Sequence, residues 1–168
     1  MFITLNEGGN NNQSHGLILI FTEGTVIGPR SIWDFFNHKK YVPIKNCIMK
    51  IEKWHTEGWN ISYLTSRKSA GQVGDIKNIL ETHGFPGDRL YFRGPKQKYR
   101  DIAEELVPRI LIEDDCRSIG GKWQMTITQV RSDIKEKIKS IVVKEFKGID
   151  HLPDDVSELL KYGDSSLT

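Results

Sequence analysis

Three consecutive acidic residues, Glu113, Asp114 and Asp115, follow the segment PRILI at residues 108–112. Adjacent carboxylates repel one another, and the stability of a strand does not require them. A hard cation such as Mg²⁺ binds oxygen ligands and supplies the compensating charge. The first turn of a helix, where acidic side chains are also favoured, is the alternative explanation. The triplet therefore predicts either a magnesium site or the start of a helix.

Hydroxyl and cationic side chains follow two other apolar segments. Thr65, Ser66 and Arg67 come after WNISYL, and the segment GPKQK supplies Lys96 and Lys98. Hydroxyls, a guanidinium and an ammonium are all suited to phosphate oxygens. Each alone has an ordinary explanation, because Thr-Ser pairs also cap helices and loop lysines are usually solvated. Together with the acidic triplet, however, they predict a crevice that binds Mg²⁺ and phosphate.

The elements that must position these residues alternate along the chain. Continuous apolar runs or short β-rich segments predict strands, and apolar residues at helical spacing predict helices. The strands are expected at 16–21, 59–66, 89–94, 108–115, 125–130 and 140–146, and the helices at 44–58, 73–84 and 99–106. Residues 2–5 either form an edge strand or fray. This alternation predicts a mainly parallel sheet covered by helices, with the site outside the carboxyl ends of its strands.

The order and spacing of these segments resemble the four motifs of the haloacid dehalogenase-like superfamily of phosphatases. The motifs correspond to FTEGTVIG, ISYLTSR, the lysine segment and ILIEDD. The resemblance implies a single α/β domain over 1–168, a three-layer α/β/α, Rossmann-type fold with its core at about 16–146. The short interval between the first two motifs leaves no room for a large cap domain. We expect residues 6–16 to form a flexible loop and residues 163–168 a disordered tail.

The resemblance also implies which residues hold a phosphate. Thr65 matches the phosphate-binding hydroxyl residue of the superfamily. Lys98, with Lys96 as second choice, matches the lysine that steadies the phosphoryl group. Ser66 and Arg67 are expected to add further phosphate contacts. Thr65 and Lys98 are accordingly candidate catalytic residues.

The first motif departs from the superfamily pattern Asp-x-Asp-Gly-Thr, because this chain reads Phe21-Thr22-Glu23-Gly24-Thr25. Phenylalanine has no lone pair with which to attack phosphorus, so the usual phospho-aspartate mechanism is not possible. Glu23 replaces the general acid and base and is one methylene longer. We expect a pseudoenzyme that binds a phosphorylated ligand or partner with little or no hydrolysis. The alternatives are an atypical Mg²⁺-dependent phosphatase in which Glu23 activates water, and a non-catalytic interaction module.

The missing aspartate also removes a magnesium ligand. Asp114 matches the acidic Mg²⁺ ligand of the superfamily, Asp115 and Glu113 are neighbours that could assist, and the Glu23 carbonyl completes the expected protein set. Mg²⁺ normally keeps several water ligands, so weak binding can survive this loss. The expected cofactor is therefore Mg²⁺, bound weakly or lost.

The charge and the apolar runs of the sequence argue against nucleic-acid and membrane partners. The 168 residues include 24 Lys and Arg against 22 Asp and Glu, a formal charge of +2, which is too mild to point to nucleic acid or a membrane. The longest apolar run, Leu17 to Phe21, is far too short to cross a bilayer. Cys47 and Cys116 form no disulfide framework. We expect a cytoplasmic protein whose partner is a phosphorylated small molecule, a nucleotide or another protein.

Overall fold

The computed structural model describes residues 1–5 and 16–163. Apart from Gly16 and Gly163, the loop expected at 6–16 and the tail expected at 163–168 lie outside the described residues. Both expectations, and the assignment of the whole chain to one domain, therefore stay predictions.

A parallel six-stranded sheet forms the centre of the described chain. The strands of the protein are β1 (Ile3–Leu5), β2 (Leu17–Phe21), β3 (Ile27–Pro29), β4 (Tyr41–Pro43), β5 (Asn60–Leu64), β6 (Arg89–Tyr91), β7 (Ile110–Asp114) and β8 (Lys139–Val143). The sheet has the order β1-β6-β5-β2-β7-β8, and β3 and β4 form a separate antiparallel pair. β2 and β7 are buried along their whole length, as the apolar sequence predicts for β2 and for residues 110–112 of β7.

Helices cover both faces of this sheet. They are α1 (Cys47–Thr56), α2 (Ala70–Thr82), α3 (Tyr99–Leu106) and the short α4 (Thr126–Gln129), α5 (Ser132–Lys135) and α6 (Val156–Leu159). Alternate residues of β2 point to opposite faces, so that Ile18 and Ile20 pack with α1, α2 and α6, whereas Leu19 and Phe21 pack with α3, α4 and α5. The predicted three-layer α/β/α fold is confirmed. None of the helices in residues 1–5 and 16–163 has the length and apolar character needed to span a bilayer.

Two differences from the sequence prediction concern short elements. The strand predicted at 125–130 is wrong, because these residues contain α4 instead. The cause is a long-range contact: the buried carboxylate of Glu113 accepts the backbone N–H groups of Thr126 and Ile127 and so fixes the first turn. The pair β3–β4 was not predicted, since its three-residue strands carry too little sequence pattern. Of the two possibilities for residues 2–5, the structure shows the edge strand, formed by residues 3–5 and paired with β6.

Candidate functional site

A cleft of about 600 Å³ opens at the carboxyl ends of the central strands. The residues that line it come from segments far apart in sequence, among them Phe21, Glu23, Arg67, Lys98, Asp114 and Glu145. Parallel strands bring their carboxyl ends to one edge of the sheet, and the chain leaves β2, β5 and β7 directly into this cleft. The predicted convergence of the acidic, hydroxyl and basic residues is thus present in the structure.

The carboxylate of Glu23 lies among the residues that were predicted to bind phosphate. The hydroxyls of Thr65 and Ser66 each lie 2.9 Å from Glu23 Oε1, and the Ser66 N–H lies 3.2 Å from Oε2. Arg67 Nε donates to Oε1 at 2.8 Å, and the Thr22 hydroxyl donates to Oε2. The Glu23 side chain is only 9% exposed. The structure therefore brings Thr65, Ser66 and Arg67 together, and the anion that they hold is Glu23.

Three carboxylates form an acidic cluster on the same side of the sheet. Oxygen atoms of Asp114, Asp115 and Glu145 all lie within 4.8 Å of one another. Burial raises the pKa of Asp114 above its ordinary value, and the charge of Glu145 acts in the same direction. Three carboxylate groups this close together suit a hard divalent cation. The donor set of Asp114, Asp115 and Glu145 therefore fits Mg²⁺, and the roles of Asp114 and Asp115 as its ligands stay predictions.

Glu145 was not among the predicted site residues. It follows β8, which pairs with β7, and its backbone N–H donates to Asp115 Oδ1 at 3.1 Å. The strand predicted at 140–146 includes Glu145, whereas β8 ends at Val143 and leaves Glu145 just beyond the strand end. The ligand expected from Glu23 was its backbone carbonyl, and this part of the metal site stays a prediction.

Two features hold Asp114 and Glu113 in place. Gly24 has a φ of +81°, and a Cβ built there would lie 2.7 Å from Asp114 Oδ2, so only glycine lets the carboxylate approach this closely. The Glu113 carboxylate accepts the N–H groups of Thr126 and Ile127 at 2.7 and 2.9 Å. Burial nevertheless raises the pKa of Glu113 to about 7. These contacts make Glu113 a support for α4.

Phe21, which the sequence resemblance aligns with the nucleophile of the superfamily pattern, is the last residue of β2. Its ring packs edge to face against Tyr99, with the centroids 5.3 Å apart, and the residue is 9% exposed. The guanidinium of Arg93 in turn lies 3.9 Å from the centroid of the Tyr99 ring. Lys98 lines the same cleft, whereas Lys96 lines a separate depression. Lys98 is therefore the better placed of the two candidate lysines.

Solved structures that share the fold of this chain are 14–17% identical to it in sequence. A chain in the Pnkp1/Rnl/Hen1 RNA repair complex is similar to 82% of this chain, with a TM-score of 0.56 and 14% identity. The class C acid phosphatase from Bacillus anthracis with tungstate bound is similar over 94% of this chain and 81% of its own, with a TM-score of 0.53 and 17% identity.

A further Pnkp1/Rnl/Hen1 complex gives a TM-score of 0.53 at 14% identity over 82% of this chain. This chain spans 45% and 49% of the two Pnkp1/Rnl/Hen1 chains that it matches. No family model and no curated protein matches the sequence. At these identities the similarity establishes the fold.

Proposed function

We propose that this protein binds a phosphorylated ligand in the cleft and does not hydrolyse it by a phospho-aspartate route. The observation that carries the proposal is the set of donors from Thr65, Ser66 and Arg67, all directed at one anionic group. Hydroxyls, a backbone N–H and a guanidinium are the donors that bind phosphate oxygens in proteins. Beside these donors, Phe21 lies at the end of β2, where the resemblance would place an attacking carboxylate.

Hydrolysis lacks both a nucleophile and a free base. Phe21 cannot attack phosphorus, and the Glu23 carboxylate already accepts hydrogen bonds from Thr65, Ser66 and Arg67. In the unliganded cleft, a carboxylate engaged in this way has no open position for the proton of an attacking water. This argues against water activation by Glu23 for as long as its carboxylate occupies the phosphate subsite. Mg²⁺ bound at the acidic cluster would offset the charge of a phosphate in the cleft.

The size and lining of the cleft favour a small phosphorylated molecule or a nucleotide as the ligand. Its volume of about 600 Å³ lies within the usual range of ligand pockets, about 300–1,000 Å³. Aromatic side chains, including Phe35, Tyr41 and Tyr99, line it together with the charged groups. The Bacillus anthracis phosphatase, which shares the fold, holds tungstate, another tetrahedral oxyanion.

Calorimetric titration with 4-nitrophenyl phosphate, with and without Mg²⁺, tests the proposal. We expect binding without release of nitrophenol. Ser66→Ala and Thr65→Val should each weaken binding by about tenfold or more, because a hydrogen bond to a charged group is worth about 1.5–3 kcal/mol. Ser118→Ala is the matched control, since its hydroxyl contacts Glu145 instead. Turnover by the wild-type protein, or equal binding by all variants, would refute the proposal.

A non-catalytic interaction module is the second candidate, and an exposed apolar segment favours it. Ile32, Trp33 and Phe36 are 82%, 90% and 95% exposed, and Phe36 lines the cleft. Contiguous exposed apolar side chains commonly mark a surface that binds another protein. The same titration separates the two candidates, because a pure interaction module would bind 4-nitrophenyl phosphate in none of the variants.

A further inference from the structure

We propose that Glu23 is an internal competitor for the phosphate subsite, so that a phosphorylated ligand binds there by displacing the Glu23 carboxylate. This inference rests on the proposed function and adds a mode of regulation to it: the unliganded cleft is closed by a side chain of the protein itself.

The contacts of Glu23 are those expected of a bound anion. Each of its carboxylate oxygens accepts hydrogen bonds from more than one donor, and those donors come from Thr22, directly after β2, and from the segment after β5. The side chain of Arg67 forms an ion pair with it and is itself 29% exposed. A phosphate oxygen would use the same hydroxyl, N–H and guanidinium groups. The two anions therefore cannot hold these donors at the same time.

The backbone around Glu23 is fixed, so that only its side chain can make way. The N–H of Gly24 donates to the carbonyl of Ile27 at 2.9 Å, and the N–H groups of Val26 and Ile27 donate to the carbonyl of Thr22 at 3.0 Å. A glutamate side chain has several staggered rotamers, whereas these bonds hold the backbone of the turn in one conformation. Displacement of the carboxylate therefore requires no change in the sheet or in the turn.

The charge of a phosphate and the cationic residues of the cleft favour its binding over that of the Glu23 carboxylate at sufficient phosphate concentration. A phosphate monoester carries a charge of about −1.5 to −2 and three acceptor oxygens, whereas Glu23 offers one charge and two oxygens. Lys98 and Arg93 also line the cleft. Within the part of the chain that the structure describes, Arg93 Nε is buried without a hydrogen-bond partner. Because of this competition, the apparent association constant for phosphate equals the intrinsic constant multiplied by the fraction of molecules in which the subsite is open.

The experiment is a calorimetric titration of inorganic phosphate into the full chain in the presence of chelator. We expect Glu23→Gln and Glu23→Ala to bind phosphate about tenfold more tightly than the wild-type protein, or better. Glu104→Gln removes the same charge and an arginine contact of the same kind, with Arg131 Nε at 3.2 Å, at a residue outside the lining of the cleft, so it should change the affinity by no more than about threefold. Circular dichroism establishes that each variant is folded.

The outcomes separate this inference from the function on which it rests. If the wild-type protein and both Glu23 variants bind phosphate equally, the competitor role is refuted and the phosphate site stands. If Glu104→Gln tightens binding as much as Glu23→Gln, the effect is one of general charge and the competitor role is again refuted. If no folded variant binds phosphate, the proposed function fails. In the wild-type protein, the amide resonance of Ser66 should shift during the titration, and a resonance that does not move while phosphate binds would also refute the displacement.

Discussion

Phe21→Asp would give the cleft the carboxylate that its first motif lacks. The residue is 9% exposed and packs against Tyr99. Loss of a buried phenylalanine costs roughly 3–5 kcal/mol, and the new carboxylate adds a desolvation penalty. Phe21→Asn is the matched control, because asparagine has nearly the same shape without the charge. Both variants should be less stable than the wild-type protein, and in chelator the aspartate variant should be the less stable of the two.

Mg²⁺ should raise the free energy of unfolding of the Phe21→Asp variant more than that of the Phe21→Asn variant. The introduced aspartate would lie in the same cleft as Asp114 and could add an oxygen ligand to the acidic cluster. An affinity of about 1 mM would raise the free energy of unfolding by about 1.4 kcal/mol in about 10 mM Mg²⁺. Urea denaturation in chelator and in Mg²⁺ measures this increase. We expect it in the aspartate variant, beyond any increase shown by the asparagine variant.

Activity completes this test when Glu23→Asp is added. The shorter side chain restores the superfamily residue and should withdraw the carboxylate from the hydroxyls of Thr65 and Ser66. The variant with Phe21→Asp and Glu23→Asp should release nitrophenol from 4-nitrophenyl phosphate in a Mg²⁺-dependent way, well above the wild-type rate. The corresponding variant with Phe21→Asn should not. If the wild-type protein is equally active, Phe21 does not occupy the nucleophile position. If the folded double variant is inert towards a broad set of phosphates, the cleft cannot support phosphoryl transfer.

Three further substitutions test the parts of the site separately. Asp114→Asn should abolish any rise in thermal stability caused by Mg²⁺. The metal-free variant should be as stable as the wild-type protein, or slightly more stable because repulsion between carboxylates is reduced. An unchanged Mg²⁺ affinity by calorimetry would place the ion elsewhere. Gly24→Ala should cost roughly 1–2 kcal/mol of unfolding free energy at its φ of +81°, and should weaken Mg²⁺ binding by displacing Asp114. Glu113→Ala leaves the N–H groups of Thr126 and Ile127 without their acceptor, so the free energy of unfolding measured by urea denaturation should fall by roughly 2–6 kcal/mol. Glu113→Gln keeps one acceptor oxygen and should lower it by less.

The central strands could be predicted because burial on both faces requires a continuous apolar run in the sequence. LILIF forms β2 and ILIED forms β7 for this reason. α4 could not be predicted, because residues 126–129 are rich in β-branched side chains and become helical through the distant carboxylate of Glu113. The β-strand preference of these residues is overridden by their hydrogen bonds to Glu113, which hold a helical turn.

The meeting of Thr65, Arg67 and Asp114 in one cleft could also be predicted, because it follows from the topology of a parallel sheet. The direction of the Glu23 side chain could not. It is set by donors from Thr65 and its neighbours, 42 or more positions away in sequence. Glu145 was missed for a related reason, since only the pairing of β8 with β7 gives that acidic residue its neighbours.

The place of β8 at the edge of the sheet has a consequence for the order in which this protein folds. Asp115 and Glu145 are 30 positions apart and meet only when β8 docks on β7. At that moment three like charges come together, so electrostatic repulsion opposes the docking of β8 and does not oppose the pairing of β2 with β5 and β7. The docking of β8 should therefore be the stage of folding that responds most to divalent ions. By the same argument, withdrawal of those ions should weaken the pairing of β8 with β7 more than the other strand pairs of the sheet.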